Sequence, residues 1–207
     1  MRLRKTAERR KSEIVEAAMR LADGVGPDRL TTEAIATAVG LTQPAVFRHF
    51  PRKQDIWEAV AARIGETMER RWARAADGAT SSQRLHGVVA TQLDLIRSTP
   101  AIPAILFSRE LHAENADLRR AFQGLLRRFH RHLVEIVEHG RGSGDFRPDL
   151  DPSDASYLVI ALVQGLALRW SLSGRGFDPV AEGERLLAIL LQGFVGQTAD
   201  AEANERS

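Results

Sequence analysis

Three residues in a short stretch carry the most suggestive chemistry in this chain. Between Gly40 and Phe50 the sequence reads GLTQPAVFRHF, and Gln43, Arg48 and His49 interrupt an apolar edge made by Leu41, Val46 and Phe50. Burying such hydrogen-bonding groups without partners is costly, so they are expected to face outward. Gln presents a donor and an acceptor that match adenine, Arg matches guanine, and a small apolar residue such as Ala45 suits a thymine methyl. The simplest alternative is a surface helical hairpin with a solvated polar face.

Charge favours a polyanion at the same end. The first eleven residues hold Arg2, Arg4, Lys5, Arg9, Arg10 and Lys11 against Glu8 alone. Residues 1–55 carry eleven Lys/Arg and seven Asp/Glu, net +4, while the remainder carries eighteen and twenty, net −2. A basic head on a mildly acidic body points to nucleic acid, and Arg4 and Lys5 are candidate phosphate contacts in a mobile arm. A solvated tail is the bland alternative.

Other chemistry finds little support. The chain has no cysteine, which removes disulfides, thiolate metal sites and a cysteine nucleophile. His112-Ala113-Glu114 has the spacing of a zinc deaminase motif but lacks the Cys ligands that site needs. His130 and His132, two apart, point to different helix faces and make no metal pair. The glycine-rich Gly140–Gly144 loop lacks the GK[ST] ending of a phosphate loop. No cofactor is implied. A small helical enzyme remains the weakest alternative, and a helical protein-interaction module without DNA binding the second.

Helical periodicity dominates the chain, and no alternating segment is long enough to predict a strand. Helices are expected over about 9–24, from Thr31 or Thr32 to Val39, from Thr42 to about Phe50, and over 53–76, 82–98, 101–113, 116–140, 152–173 and 179–196. Gly40 supplies positive φ between the second and third, Ala36 a small contact residue, and Pro44 a first-turn residue whose missing N–H costs nothing. Two short helices joined in this way have the spacing of a helix-turn-helix. The fold class expected is all-α, a three-helix DNA-binding domain over 1–50 followed by a helical effector-binding and dimerisation domain over 51–207.

Residues 10–57 resemble the DNA-binding head of the TetR family of bacterial regulators. The features that carry the resemblance are Ala17-Ala18, Leu21, Gly26, Thr31-Thr32, Ile35-Ala36, Gly40, Phe47-x-His49-Phe50 and Lys53. The resemblance implies that Gln43, Pro44, Ala45, Phe47 and Arg48 read bases, with His49 beside them. It implies that Thr32, Thr42 and Lys53 hold phosphates. Phe47 stands where the family usually has Tyr, so a hydroxyl contact is lost. Arg52 replaces a small capping residue and is itself a candidate phosphate contact. The resemblance further implies repression of a palindromic double-stranded DNA operator by a homodimer, relieved by a small molecule.

The body supplies the remaining expectations. Segments 152–173 and 179–196 are apolar almost all round, which calls for burial on more than one face. A dimer interface through Val159, Leu162, Leu166, Leu187, Leu191 and Phe194 is one solution; a monomer with a central buried helix is the other. A largely apolar effector is expected among Met68, Trp72, Phe107, Leu111, Phe122, Leu126, Phe129 and Trp170, with His112, His130 and Gln164 as polar handles. Core packing is the competing role for each. The run Tyr157–Val163 is too short to cross a bilayer, and no N-terminal apolar segment follows the basic start, so a cytoplasmic protein is expected.

Overall fold

The computed structural model describes residues 6–75 and 80–195. Arg4 and Lys5 lie outside the described residues. Ten helices account for the regular structure: α1 (Ala7–Val25), α2 (Thr32–Ala38), α3 (Gln43–Phe47), α4 (Lys53–Ala75), α5 (Ser81–Ser98), α6 (Ala101–Leu106), α7 (Arg109–Glu114), α8 (Ala116–Ser143), α9 (Pro152–Leu172) and α10 (Pro179–Gln192). No strand occurs among the described residues. Packing divides the chain into two compact units. The first is Met1–Arg70 with Ile96–Leu126, the second Arg71–Leu95 with Arg127–Ser207.

In the first unit, α1 starts where the Thr6 hydroxyl accepts the Arg9 N–H at 3.3 Å. Its buried stripe is Ile14, Val15, Ala17, Ala18 and Ala22, and α1 packs on α2 and α6. The small residues of that stripe let the neighbouring helices approach closely. Gly26 ends α1 at φ 84° and Gly40 turns α2 into α3 at φ 65°, a backbone region that side chains with a Cβ rarely occupy. The turn is closed by the Leu41 N–H donating to the Ala36 carbonyl at 2.9 Å.

The helix expected over 101–113 is broken in two. Ser108 accepts the Leu111 N–H at 3.0 Å and so caps a new helix, α7, while Phe107 ends α6 by bonding back to Pro103. Asn115 restarts the chain as α8 by accepting the Leu118 N–H at 2.9 Å.

In the second unit, α5 is capped from a distance: the Ser81 N–H donates to Asp145 Oδ2 at 2.7 Å. That bond holds the Asp145 carboxyl below the ordinary carboxylate range, against a smaller opposing effect of burial. Helices α9 and α10 pack together, and Gly183 permits it, since a Cβ there would lie 2.1 Å from Leu93 Cδ1. Helix α9 is long and apolar enough to cross a membrane by length and composition. Here one of its faces is core, and the other is exposed and still apolar.

Candidate functional site

Helix α3 has five residues, too few to be stable alone, so its position depends on packing. Val46 and Phe50 anchor it, and the Thr42 carbonyl accepts the Ala45 and Val46 N–H groups at 2.9 and 3.2 Å. Gln43, Pro44 and Arg48 are exposed, Phe47 is 39% exposed, and His49 is half-buried. No hydrogen bond or ion pair among the described residues engages the side chains of Gln43, Arg48 or His49. Ala45 departs from the expected set: at 8% exposure its methyl is inside the head, because positions 45 and 46 both fall on the side of α3 that packs inward.

The expected phosphate contacts separate in the same way. Thr31, not Thr32, caps α2, its hydroxyl accepting the Ala34 N–H at 3.1 Å. Thr32 is buried, so only the backbone at that helix start is presented. Thr42 is exposed and its hydroxyl makes no cap bond. Lys53 is half-buried at the start of α4. Arg52 is already engaged: its backbone N–H donates to Asp55 Oδ2 at 2.8 Å and its Nε to Oδ1 at 2.9 Å. Asp55 therefore supplies the cap that a small residue at 52 would have made. The side-chain hydrogen bond lowers the Asp55 carboxyl and raises the Arg52 guanidinium from their ordinary values.

Three long-range ties in the first unit link α1, its following loop and α4 to their neighbours. Arg63 on α4 donates to Ser12 Oγ and pairs with Glu16 at 3.4 Å. The Ser108 hydroxyl donates to Asp28 Oδ1 at 2.5 Å, and Asn115 Nδ2 donates to the Gln54 carbonyl at 3.4 Å. Sequence periodicity carries no signal for contacts 47 to 80 residues apart.

The expected effector residues fall into two groups. In the first unit Met68, Leu111 and Phe122 are buried, and His112 meets Phe122 edge-on at 5.5 Å while its Nε2–H donates to the Leu106 carbonyl at 3.1 Å. Phe107, at the end of α6, and Leu126, off the inward stripe of α8, are instead among the exposed large apolar residues. In the second unit Trp72 stacks on Phe129 with ring centroids 4.7 Å apart, and Trp170 is buried. Gln164 is half-buried. His130 stacks on the exposed ring of Tyr157 at 4.2 Å, which takes it to the surface.

Two residues of this region were missed. Gln92 is buried, its Oε1 accepting the Trp72 indole N–H at 2.8 Å, and His132 stacks on the same indole with centroids 6.3 Å apart. The available signal was a Gln on the apolar face of α5, in step with Leu85, Val88, Val89 and Ile96.

The residues expected at the dimer face are mostly buried within their own subunit. Val159, Leu166, Leu187, Leu191 and Phe194 are 0–5% exposed within their own subunit, so they form its core; Leu162 is half-buried. An apolar helix has two faces, and the other one is open: Tyr157, Leu158, Leu168 and Leu172 on α9, with Ile189 on α10 and Val195 just beyond it.

Comparison with known proteins decides the family. Residues 14–60 match the family described as "Bacterial regulatory proteins, tetR family". Residues 81–199, more than half of the chain, match "BetI-type transcriptional repressor, C-terminal". The chain belongs to the TetR family. As a TetR-family member it is a DNA-binding transcription regulator, not an enzyme, working as a homodimer on double-stranded operator DNA in response to a small molecule. A nucleoid occlusion factor, SlmA, of Haemophilus ducreyi is 29% identical over 195 residues, spanning 90% of this chain and 93% of that one. The fatty acid metabolism regulator protein of Bacillus subtilis is 23% identical over 183 residues, spanning 88% and 94%. The structure of the regulator FadR from Bacillus subtilis in complex with stearoyl-CoA superposes with a TM-score of 0.77 at 22% identity, over 88% of this chain and 98% of that one. That likeness fixes the fold of this TetR-family chain.

Proposed function

We propose that this regulator represses from the cytoplasm, reads a palindromic operator through Gln43, Pro44, Phe47 and Arg48, and releases it when a fatty-acyl effector enters its helical body. The observation that carries the reading is the division of α3 into a buried anchor and an exposed, unpaired polar face. Unpaired Gln and Arg on a helix docked by its other side suit base edges in a major groove. The Thr42 hydroxyl, Lys53 and the helix starts of α2 and α4 suit flanking phosphates. Functionally, residues 1–50 serve as the DNA head and 51–207 as the effector and dimer body.

The exposed apolar stripe on α9 and α10 supports the dimer face. It replaces the buried set Val159, Leu166, Leu187, Leu191 and Phe194 in that role. The effector class rests on the likeness to Bacillus subtilis proteins named for fatty acid metabolism and bound to stearoyl-CoA, together with the apolar side chains around Trp72. Selection of bound sequences from random DNA tests the reading. Recovered sites should show twofold symmetry with half-sites about one helical turn apart, and stearoyl-CoA should release the best of them. Recovery of sites without symmetry would refute it.

A further inference from the structure

The second unit holds a polar cluster in an otherwise apolar core. Trp72 of α4 lies against Phe129 and His132 of α8, with planes inclined by 21° and 17°. The indole N–H can only donate, so the Gln92 amide must turn its oxygen toward Trp72 at 2.8 Å. That fixes the amide orientation and points its NH2 away from the indole. Its two donors find no acceptor among the described residues. His132 Nε2 is buried without a hydrogen-bond partner.

A buried imidazole nitrogen without a partner is unusual in a native core, and here it stands on the same indole as an amide whose NH2 is unused. That nitrogen carries a desolvation penalty that only a hydrogen bond removes. Neither is charged: burial lowers the His132 imidazole below its ordinary value, outweighing the opposing influence of Glu135, and Gln has no charge to offer. The cation nearest to Trp72 in sequence, Arg71, is paired with Asp94 at 3.0 Å. An anionic headgroup brought here would lose hydration that neither Gln92 nor the uncharged His132 can offset with a charge.

We infer that Gln92 and His132 are the polar anchor of the effector site and receive an uncharged carbonyl, that of an ester, thioester or amide, in preference to a free carboxylate. The apolar part of the ligand then lies against Trp72 and Phe129. The inference rests on the reading of the body as an effector site, and it narrows the ligand to a neutral acyl derivative.

Full-length protein titrated with dodecanamide, methyl dodecanoate and dodecanoate, followed by tryptophan fluorescence and calorimetry, tests it. The amide and ester should bind at least tenfold more tightly than the carboxylate. His132→Phe and Gln92→Leu should each lose about tenfold for the neutral probes and change little for the carboxylate. Thermal unfolding should show His132→Phe folded, with a melting temperature equal to or above that of the parent, since an unpaired buried nitrogen is removed. Equal or tighter binding of dodecanoate would overturn the inference. So would neutral-probe affinities unchanged in both folded variants, which would leave the effector reading standing with its anchor elsewhere. If neither the neutral probes nor dodecanoate nor stearoyl-CoA binds, the effector reading falls and the anchor with it.

Discussion

Placing charge on the open stripe of α9 and α10 should separate the dimer from the fold. Leu158 and Ile189 are 51% and 57% exposed, so either can become Glu without disturbing its own subunit's core. In a twofold dimer each substitution occurs twice. Losing burial of the exposed half of an aliphatic side chain costs about 1 kcal/mol, or about 2 for the symmetric pair. Desolvating two unpaired carboxylates adds several kcal/mol more unless the interface opens. A total near 5 kcal/mol would raise the dimer dissociation constant by about 10³ to 10⁴. Sedimentation velocity should then show folded monomers at micromolar concentration. Operator binding should fall steeply, because two heads must be linked to enter grooves about 34–36 Å apart. Leu187→Ala, at 0% exposure, should behave differently, costing about 2–5 kcal/mol of stability through a core cavity. If Leu158→Glu and Ile189→Glu both stay dimeric and hold the operator as the parent does, the stripe is not the interface.

Arg48→Ala should flatten preference at one or two operator positions, a loss of about 1–3 kcal/mol of discrimination, whereas Lys53→Ala should weaken all sequences alike and reduce the salt slope by about one; binding to variant operators at several salt concentrations separates them. Deleting residues 2–5 should lower operator affinity while leaving the melting temperature nearly unchanged, as measured by anisotropy and circular dichroism. Gly87→Ala should destabilise the second unit by about 1–3 kcal/mol, because the new Cβ would lie 2.6 Å from the backbone oxygen of Ala75; urea unfolding checks this. Stability should also fall as pH drops below the ordinary His range, because the depressed His132 imidazole leaves the unfolded chain holding more protons there. His132→Phe should flatten that part of the stability profile between pH 7.5 and 5.5.

The helical class, nearly every helix and the turn at Gly40 were legible from local signals alone, because these depend on periodicity, caps and backbone freedom. The sequence also located the DNA head: an apolar anchor and outward Gln and Arg on one short helix are a local pattern. What it could not distinguish was which of two apolar faces turns inward. On α9 and α10 both faces read alike, and only packing against the rest of the subunit put Val159 and Leu187 in the core and Leu158 and Ile189 outside. Ala45 was misplaced for the same reason, and Thr32 because two adjacent threonines offer equivalent caps. The break at Ser108 and the cap on Arg52 depended on which of several local hydrogen bonds the surroundings favoured. The Trp72, Gln92 and His132 cluster lay beyond sequence reading altogether, since it joins α4, α5 and α8 across 20 to 60 residues. A polar side chain on an apolar face announces only that a partner is needed; tertiary structure decides whether the chain itself provides one.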